Sequence, residues 1–401
     1  MTPHPGPRSV CTVESAAERP GAGTSLYVHV PFCVVKCGYC DFNSFVVEDE
    51  TVHDVFLRAL DAELARSWRD GRPVSVFIGG GTPSLLAPER LQRLMAVIGS
   101  HVPLRECAEV TMEANPESLT QEKAAIALAG GVTRMSMGVQ TFHPHHLRFL
   151  DRAHSAERAE AAFAALRAAG CVNASIDLMF GIPGESPAEW QQDLERALAL
   201  QPDHLSCYNL TFEPGTRLHH EQEHGRVAAN DEEVDRTMFL FTRERLAAAG
   251  YDAYEVSNFA GRGGPCRHND HYWLQGDYVG VGPGASSHRQ GVRCTNLKPV
   301  ETWARAALAG LPAAGTAETL RPMQRASEAI WLGLRRRLGV DLLAIERRLG
   351  VPAVAHFAAL RQRHVQAGWL VAEGETLRLT PAGLLVADRV TGDYLLAGIA
   401  D

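Results

Sequence analysis

The chain has 401 residues, 45% of them hydrophobic, enough for one large domain and a smaller one around real cores. Its net charge of −8, from 47 acidic against 39 basic residues, argues against a nucleic-acid partner, which needs a basic stripe. No run of about eighteen apolar residues suggests a transmembrane helix, and nine cysteines, six of them scattered, fit a reducing cytoplasm better than a disulfide framework.

Residues 1–23 are rich in Pro, Gly, Ala and Ser without an apolar h-region, and read as a disordered leader rather than a secretory signal. A repeating pattern then begins. SLYVHVP (25–31) reads as a strand, followed by a cysteine loop and a helix near 49–70. VSVFIGG (74–80), EVTMEAN (109–115), RMSMGVQ (134–140), NASIDLMFGIP (173–183) and HLSCYNL (204–210) are further strands, each followed by a helical stretch. Six strand–helix units predict a parallel sheet over 24–250, either an open, partial (β/α)6 barrel or a doubly wound sheet. After YDAYEVSNFA the pattern breaks into a connector over 251–310, rich in Gly and aromatics. Residues 311–401 read as a small, mainly helical, winged-helix-like domain whose hairpin turns at Gly374.

Cys33, Cys37 and Cys40 follow a Cys-x3-Cys-x2-Cys spacing directly after the first strand. Three thiolates are one short of a closed zinc site, for which His29 or Asp41 would supply the fourth ligand. A four-iron cubane is the alternative, since three thiolates leave one iron open for a small chelating ligand. Gly79, Gly80 and Gly81 end the next strand, ahead of Thr82 and Pro83. Glycines there let backbone approach a ligand, although turn chemistry alone also uses them. In either architecture the carboxyl ends of the strands bring the cysteine loop, GGGTP, Glu113, Gln140 and Asp177 to one rim.

With Tyr39 before the last cysteine and GGGTP on the second strand, the chain resembles the radical S-adenosylmethionine (SAM) superfamily. Within it, the resemblance is to the oxygen-independent coproporphyrinogen III oxidases and the related HemW-type haem chaperones. YVHVPFC, KCGYCDFNSF, FIGGGTPSLL, TMEANPESL, RMSMGVQTF, DLMFGIPGES, HLSCYNLTFEPGT and RHNDHYW carry it over about 26–273. The resemblance implies a partial (β/α)6 TIM-like barrel with a [4Fe–4S] cluster on Cys33, Cys37 and Cys40, its open iron binding SAM. It further implies SAM contacts from Tyr27, Tyr39, Gly80, Gly81, Thr82, Glu113, Gln140, Arg152 and Asp177. The chemistry is apt: a strand-end carboxylate suits a ribose hydroxyl pair, and a guanidinium fork suits a carboxylate.

Position 42 separates the two branches. The oxidases carry a further cysteine two places after the third, whereas Phe42 stands here, as in the chaperones. The HNxxYW pattern of His268, Asn269, Tyr272 and Trp273 also resembles the chaperone branch and implies haem binding at His268. Imidazole is a common axial iron ligand, and the aromatic plates would cover a macrocycle; a packed connector would look the same. The expectation is a cytoplasmic radical SAM protein that binds haem and hands it to haem-accepting, respiratory proteins, with an electron donor for the cluster. Peripheral membrane contact is compatible with that role. The alternatives are an oxygen-independent coproporphyrinogen III dehydrogenase, decarboxylating two propionates, and a non-enzymatic zinc module.

Overall fold

A computed structural model of the protein describes residues 21–399, so the expected leader lies outside the described residues except for 21–23. The first half alternates as expected: β1 (Thr24–Val30), α1 (Thr51–Ser67), β2 (Val76–Gly80), α2 (Pro88–His101), β3 (Val110–Ala114) and α3 (Gln121–Ala129). β4 (Arg134–Gln140), a short α4 (Pro144–Phe149), α5 (Ala156–Ala168), β5 (Ala174–Phe180), α6 (Pro187–Ala199) and β6 (His204–Asn209) complete six parallel units. Local chemistry sets the helix starts. Thr120 and Ser155 cap α3 and α5, while Ser186 and Glu189 form a capping box on α6 with Pro187 in its first turn.

β1 through β6 pair in sequential parallel order. The sheet stays open because β6 is flanked by the antiparallel β7 (Asp252–Ala253) and β8 (Asn258–Ala260), in the order β6-β8-β7. α7 (Arg217–Glu223) and α8 (Glu232–Ala248) precede these strands. On β1, Leu26, Val28 and Val30 are fully buried in the main core, and the alternate Tyr27 and His29 turn to the other face.

Residues 251–310 are more than a link. After α9 (Arg267–Trp273), β9 (Asp277–Val281) runs parallel to β1 and extends the sheet on its other side. β10 (Ser286–Arg289), β11 (Val292–Asn296) and β12 (Ala314–Thr319) continue outward antiparallel, with α10 (Val300–Leu308) before β12, giving twelve strands in one sheet. α10 packs on α1, with Trp303 against Phe56.

The C-terminal region has its own core around Ile330, Leu342, Phe357, Leu377 and Tyr394. It comprises α11 (Pro322–Gly333), β13 (Val340–Asp341), α12 (Leu342–Leu349), α13 (Ala353–His356) and α14 (Ala358–Gln366). β14 (Leu370–Glu373), β15 (Thr376–Leu379), α15 (Pro381–Leu384) and α16 (Ala387–Ile399) follow. The expected hairpin is β14–β15, with Gly374 at φ +60°, a left-handed turn position that glycine takes without strain.

Candidate functional site

β1 ends in a Pro31–Phe32 anchor, and fully buried Phe32 packs edge-on against Phe56. The cysteine loop leaves from this anchor, pinned by Cys33 N–H to the Phe45 carbonyl (3.0 Å) and by Cys40 N–H to that of Cys37 (3.1 Å). Cys33, Cys37 and Cys40 are half-buried and unpaired. Burial pushes the Cys33 and Cys40 thiols up, with a Thr82 hydrogen bond opposing it at Cys33 and a Phe42 backbone bond opposing it at Cys40.

All three line a cavity of about 410 Å³ at the carboxyl end of the parallel strands. Tyr39, Gly80, Gly81, Thr82, Glu113, Gln140, Arg152 and Asp177 line it too, so eleven of the thirteen residues singled out from sequence meet in one space. Tyr27 and His268 do not line it. The Tyr27 hydroxyl donates to His29 Nδ1 at 2.8 Å, and His29 Nε2 donates to the Asn43 carbonyl at 2.8 Å. His29 thus has both nitrogens engaged and is no free fourth ligand for zinc.

The glycine run is dictated by close approach. A Cβ on Gly79 would come within 2.5 Å of Glu113 Oε2, and one on Gly81 within 2.6 Å of the Phe32 carbonyl. The Gly80 N–H, at φ +107°, donates to Glu113 Oε2 at 3.0 Å. Burial pushes Glu113 up to about 7, with Asp177 adding to it and the Gly80 bond opposing. Asp177 is raised by burial as well, although Ser136 Oγ donates to both its oxygens at 2.9 and 3.1 Å. Gln140 holds φ +68° beside a register shift between β4 and β5, a strained, bulged position of the kind that aims a side chain at a site.

Arg152 ties the cysteine loop to the barrel. Its Nη2 donates to Asn115 Oδ1 (2.9 Å) and the Gly138 carbonyl (2.7 Å), and Nη1 reaches Cys37 Sγ at 3.7 Å. Burial opposes its charge, but Tyr39, Cys37 and Glu117 outweigh that and keep it cationic. Asp151 accepts the Gly38 N–H at 3.0 Å and pairs with Arg217. Asn115, Ser136 and Asp151 were not singled out from sequence. Strand alternation offered a signal for the first two, since Asn115 is two places from Glu113 and Ser136 four from Gln140.

The three thiols, the glycine cradle and the cationic and acidic groups around one cavity fit a metal cluster with a zwitterionic cofactor beside it. Exposed residues that line the cavity include Val35 and Phe42 beside Asp41, Asn209 and Thr211, and Phe42 is 56% exposed.

His268 sits at the opposite end of the barrel. Its Nδ1 bonds Ser75 Oγ at 2.9 Å, its ring stacks on Phe77, and it is 1% exposed, with Nε2 unpartnered. Burial pushes it down to about 3. Glu109 accepts the N–H groups of Arg267 and His268 (3.0 and 3.1 Å), so α9 closes the barrel floor. The outer end of α9 is different. Trp273 and Leu274 line a second cavity of about 750 Å³ against α11 and α12, beside Arg336, Arg347 and Arg348.

Comparison with known proteins bears on both ends. The radical SAM superfamily matches residues 27–197, and the HemN C-terminal domain matches 320–386. The heme chaperone HemW of Mycobacterium tuberculosis is 40% identical over 389 residues, covering 94% of this chain and 96% of that protein. The heme chaperone HemW of Bacillus subtilis is 34% identical over 376 residues, covering 92% and 99%. The solved coproporphyrinogen III oxidase (HemN) of Escherichia coli superposes with a TM-score of 0.80 over 94% of this chain and 91% of that one, at 23% identity, a likeness of fold. Agreement at this level along nearly the whole length, over the same cysteine loop and small domain, makes the chain a member of the radical SAM superfamily, in the family of the heme chaperones HemW.

Proposed function

We propose that this protein binds haem and delivers it to acceptor haemoproteins, using a [4Fe–4S] cluster and SAM as resident cofactors. Position 42 carries the reading. The oxidase branch would place a thiol there, and here a half-exposed phenyl ring stands at the cavity mouth.

Cys33, Cys37 and Cys40 would hold the cluster, which supplies an electron to SAM when both are bound. The chain's residues do the rest. Arg152, fixed by Asn115 and Gly138, presents a guanidinium to a carboxylate, and the Gly79–Gly81 backbone accepts an amino group. Glu113 and Asp177 offer acceptors to hydroxyl pairs, while Tyr39 gives an apolar face to an adenine.

Haem is assigned to α9. Trp273 and Leu274 with the α11–α12 face give an apolar wall, and Arg347 and Arg348 suit the carboxylates of a macrocycle. Arg348 donates to the Leu274 carbonyl (3.3 Å) and to Gln275 Oε1 (2.7 Å). Axial ligation by His268 Nε2 requires α9 to lift from Ser75 and Phe77. No helix among the described residues is long and apolar enough to cross a membrane. The eight described cysteines, all unpaired, support a reducing, cytoplasmic setting.

Haemin titration tests the assignment. A Soret band should form at one haem per chain, shift in His268→Ala, and weaken about tenfold in affinity in Arg348→Glu. Wild type that binds no haem would end the reading. Anaerobic incubation with coproporphyrinogen III, SAM and reductant should give no protoporphyrinogen, and turnover would reassign the chain to the oxidases.

A further inference from the structure

The stretch that follows β4, Thr141-Phe-His-Pro-His-His146, packs three imidazoles against the start of α6, outside the cofactor cavity. His145 Nε2 lies 3.0 Å from Glu189 Oε1, and His146 Nε2 lies 3.8 Å from the same oxygen. Ligand atoms of His143, His145 and Glu189 all fall within 4.8 Å of one another. The His145 and His146 rings have centroids 3.9 Å apart, and His143 is within 6 Å of each (5.8 and 5.9 Å).

An ion pair at the helix start would account for His145 alone. It does not account for His146, which is 3% exposed yet has no hydrogen-bond partner on Nε2. An unsatisfied buried nitrogen costs about 1–3 kcal/mol, and it points at a carboxylate oxygen that a second imidazole already approaches. Glu189 is prepared for a cation. Its Oε2 accepts the Ser186 N–H and hydroxyl at 2.9 and 2.7 Å, which orients the group and leaves Oε1 toward the histidines. Beneath, Asp193 is fully buried with Oδ2 unpartnered and Oδ1 3.7 Å from His143 Nε2. That places a second carboxylate beside the imidazole cluster.

We infer that His143, His145, His146 and Glu189 form a second metal site, for a borderline transition-metal dication such as zinc, in an N3O set. Three imidazoles and one carboxylate are a zinc donor set with bonds of about 2.0–2.2 Å. His143, His145 and Glu189 already have ligand atoms within 4.8 Å of one another, and His146 Nε2, 3.8 Å from Glu189 Oε1, would turn in to join them. His143 would exchange its present bond to the Glu189 carbonyl, 3.0 Å from Nε2, for the metal. A bound ion would fasten α4 to α6, and the far end of α4 leads into Asp151 and Arg152 of the cofactor cavity.

The test uses the full chain with its cluster intact and Zn2+ as the probe. After dialysis, wild type should keep one zinc per chain in addition to cluster iron. Zinc K-edge spectra should show nitrogen and oxygen ligands only. His145→Ala, whose side chain is half-exposed and carries no core packing, should lower zinc affinity at least about tenfold, as should His143→Ala. Iron content should not change. Sulfur in the zinc shell would place the ion on the cysteine loop and overturn the assignment. So would equal zinc retention by both variants, or no retained zinc in wild type.

Discussion

Glu113 shows how the cavity trades stability for a poised group. An acid held at about 7 by burial keeps a proton in the folded chain that the unfolded chain has already lost. The contribution is therefore unfavourable, growing as pH rises from the ordinary carboxyl range to about 7 and constant above it. At about 1.4 kcal/mol per unit, and with water in the cavity lowering the figure, the effect is on the order of 2 kcal/mol. Glu113→Gln keeps an acceptor for the Gly80 N–H and removes the titration. Thermal scans of the cofactor-free chain should show the two proteins alike at pH 4.5 and the variant more stable by several degrees at pH 8. A gap independent of pH would show that Glu113 is not the titrating group. At this scale the sequence was most legible where a residue lines the cavity directly: the thiols, Gly80, Gly81, Glu113, Arg152 and Asp177. Asn115 and Asp151 escaped because they act on other side chains, Asn115 by bridging Thr82 and Arg152 (2.9 Å each). For Asn115 only its place two residues after Glu113 hinted at the cavity, and the bridge itself depends on a tertiary distance that no spacing records.

Among elements, the six parallel strands were readable from apolar runs of the right length, but the barrel floor was not. α9 has seven residues and no apolar stripe. It is held by polar groups, with Glu109 at its first N–H groups and Ser75 on His268. β9, DYVGV, carries one glycine and is short, so its parallel seat beside β1 comes from the sheet edge rather than from its own pattern. The same anchoring gives an expectation. Glu109 is 5% exposed, and Glu109→Ala would leave two buried N–H groups unpaired near the Arg134 guanidinium. The loss should be about 3 kcal/mol in denaturant unfolding. Hydrogen exchange should speed up over 266–273 while the cysteine loop keeps its iron. Unchanged protection of α9 would show that the plug is held by its aromatic contacts instead.

Across the whole molecule, the C-terminal unit sits on α9 through few, specific bonds. Arg336 forks onto Asp270 of α9 (2.7 and 3.3 Å), Arg348 bonds Gln275 at 2.7 Å, and the Arg337 N–H bonds the Tyr254 carbonyl at 2.9 Å. Arg293 of β11 meets Glu328 of α11 at 2.8 Å. The second cavity lies along this seam, so the bonds that seat the unit also line the space assigned to haem. The Arg336–Asp270 pair is two-pronged and mostly buried, with side chains 15% and 31% exposed, which makes it worth more than a surface ion pair, roughly 1–2 kcal/mol. If haem rests in that seam, loosening the pair should ease its exit. Haem-loaded Arg336→Ala should surrender haem to an excess of apo-globin several-fold faster than wild type, with iron–sulfur content and melting of the barrel unchanged. Reversing both charges, in Asp270→Arg with Arg336→Glu, should restore slow release because the fork is rebuilt in the opposite sense. Equal release rates in all three proteins would place haem elsewhere on the chain, while a fast rate that the reversed pair does not correct would mean that Arg336 acts on haem directly rather than through the seam.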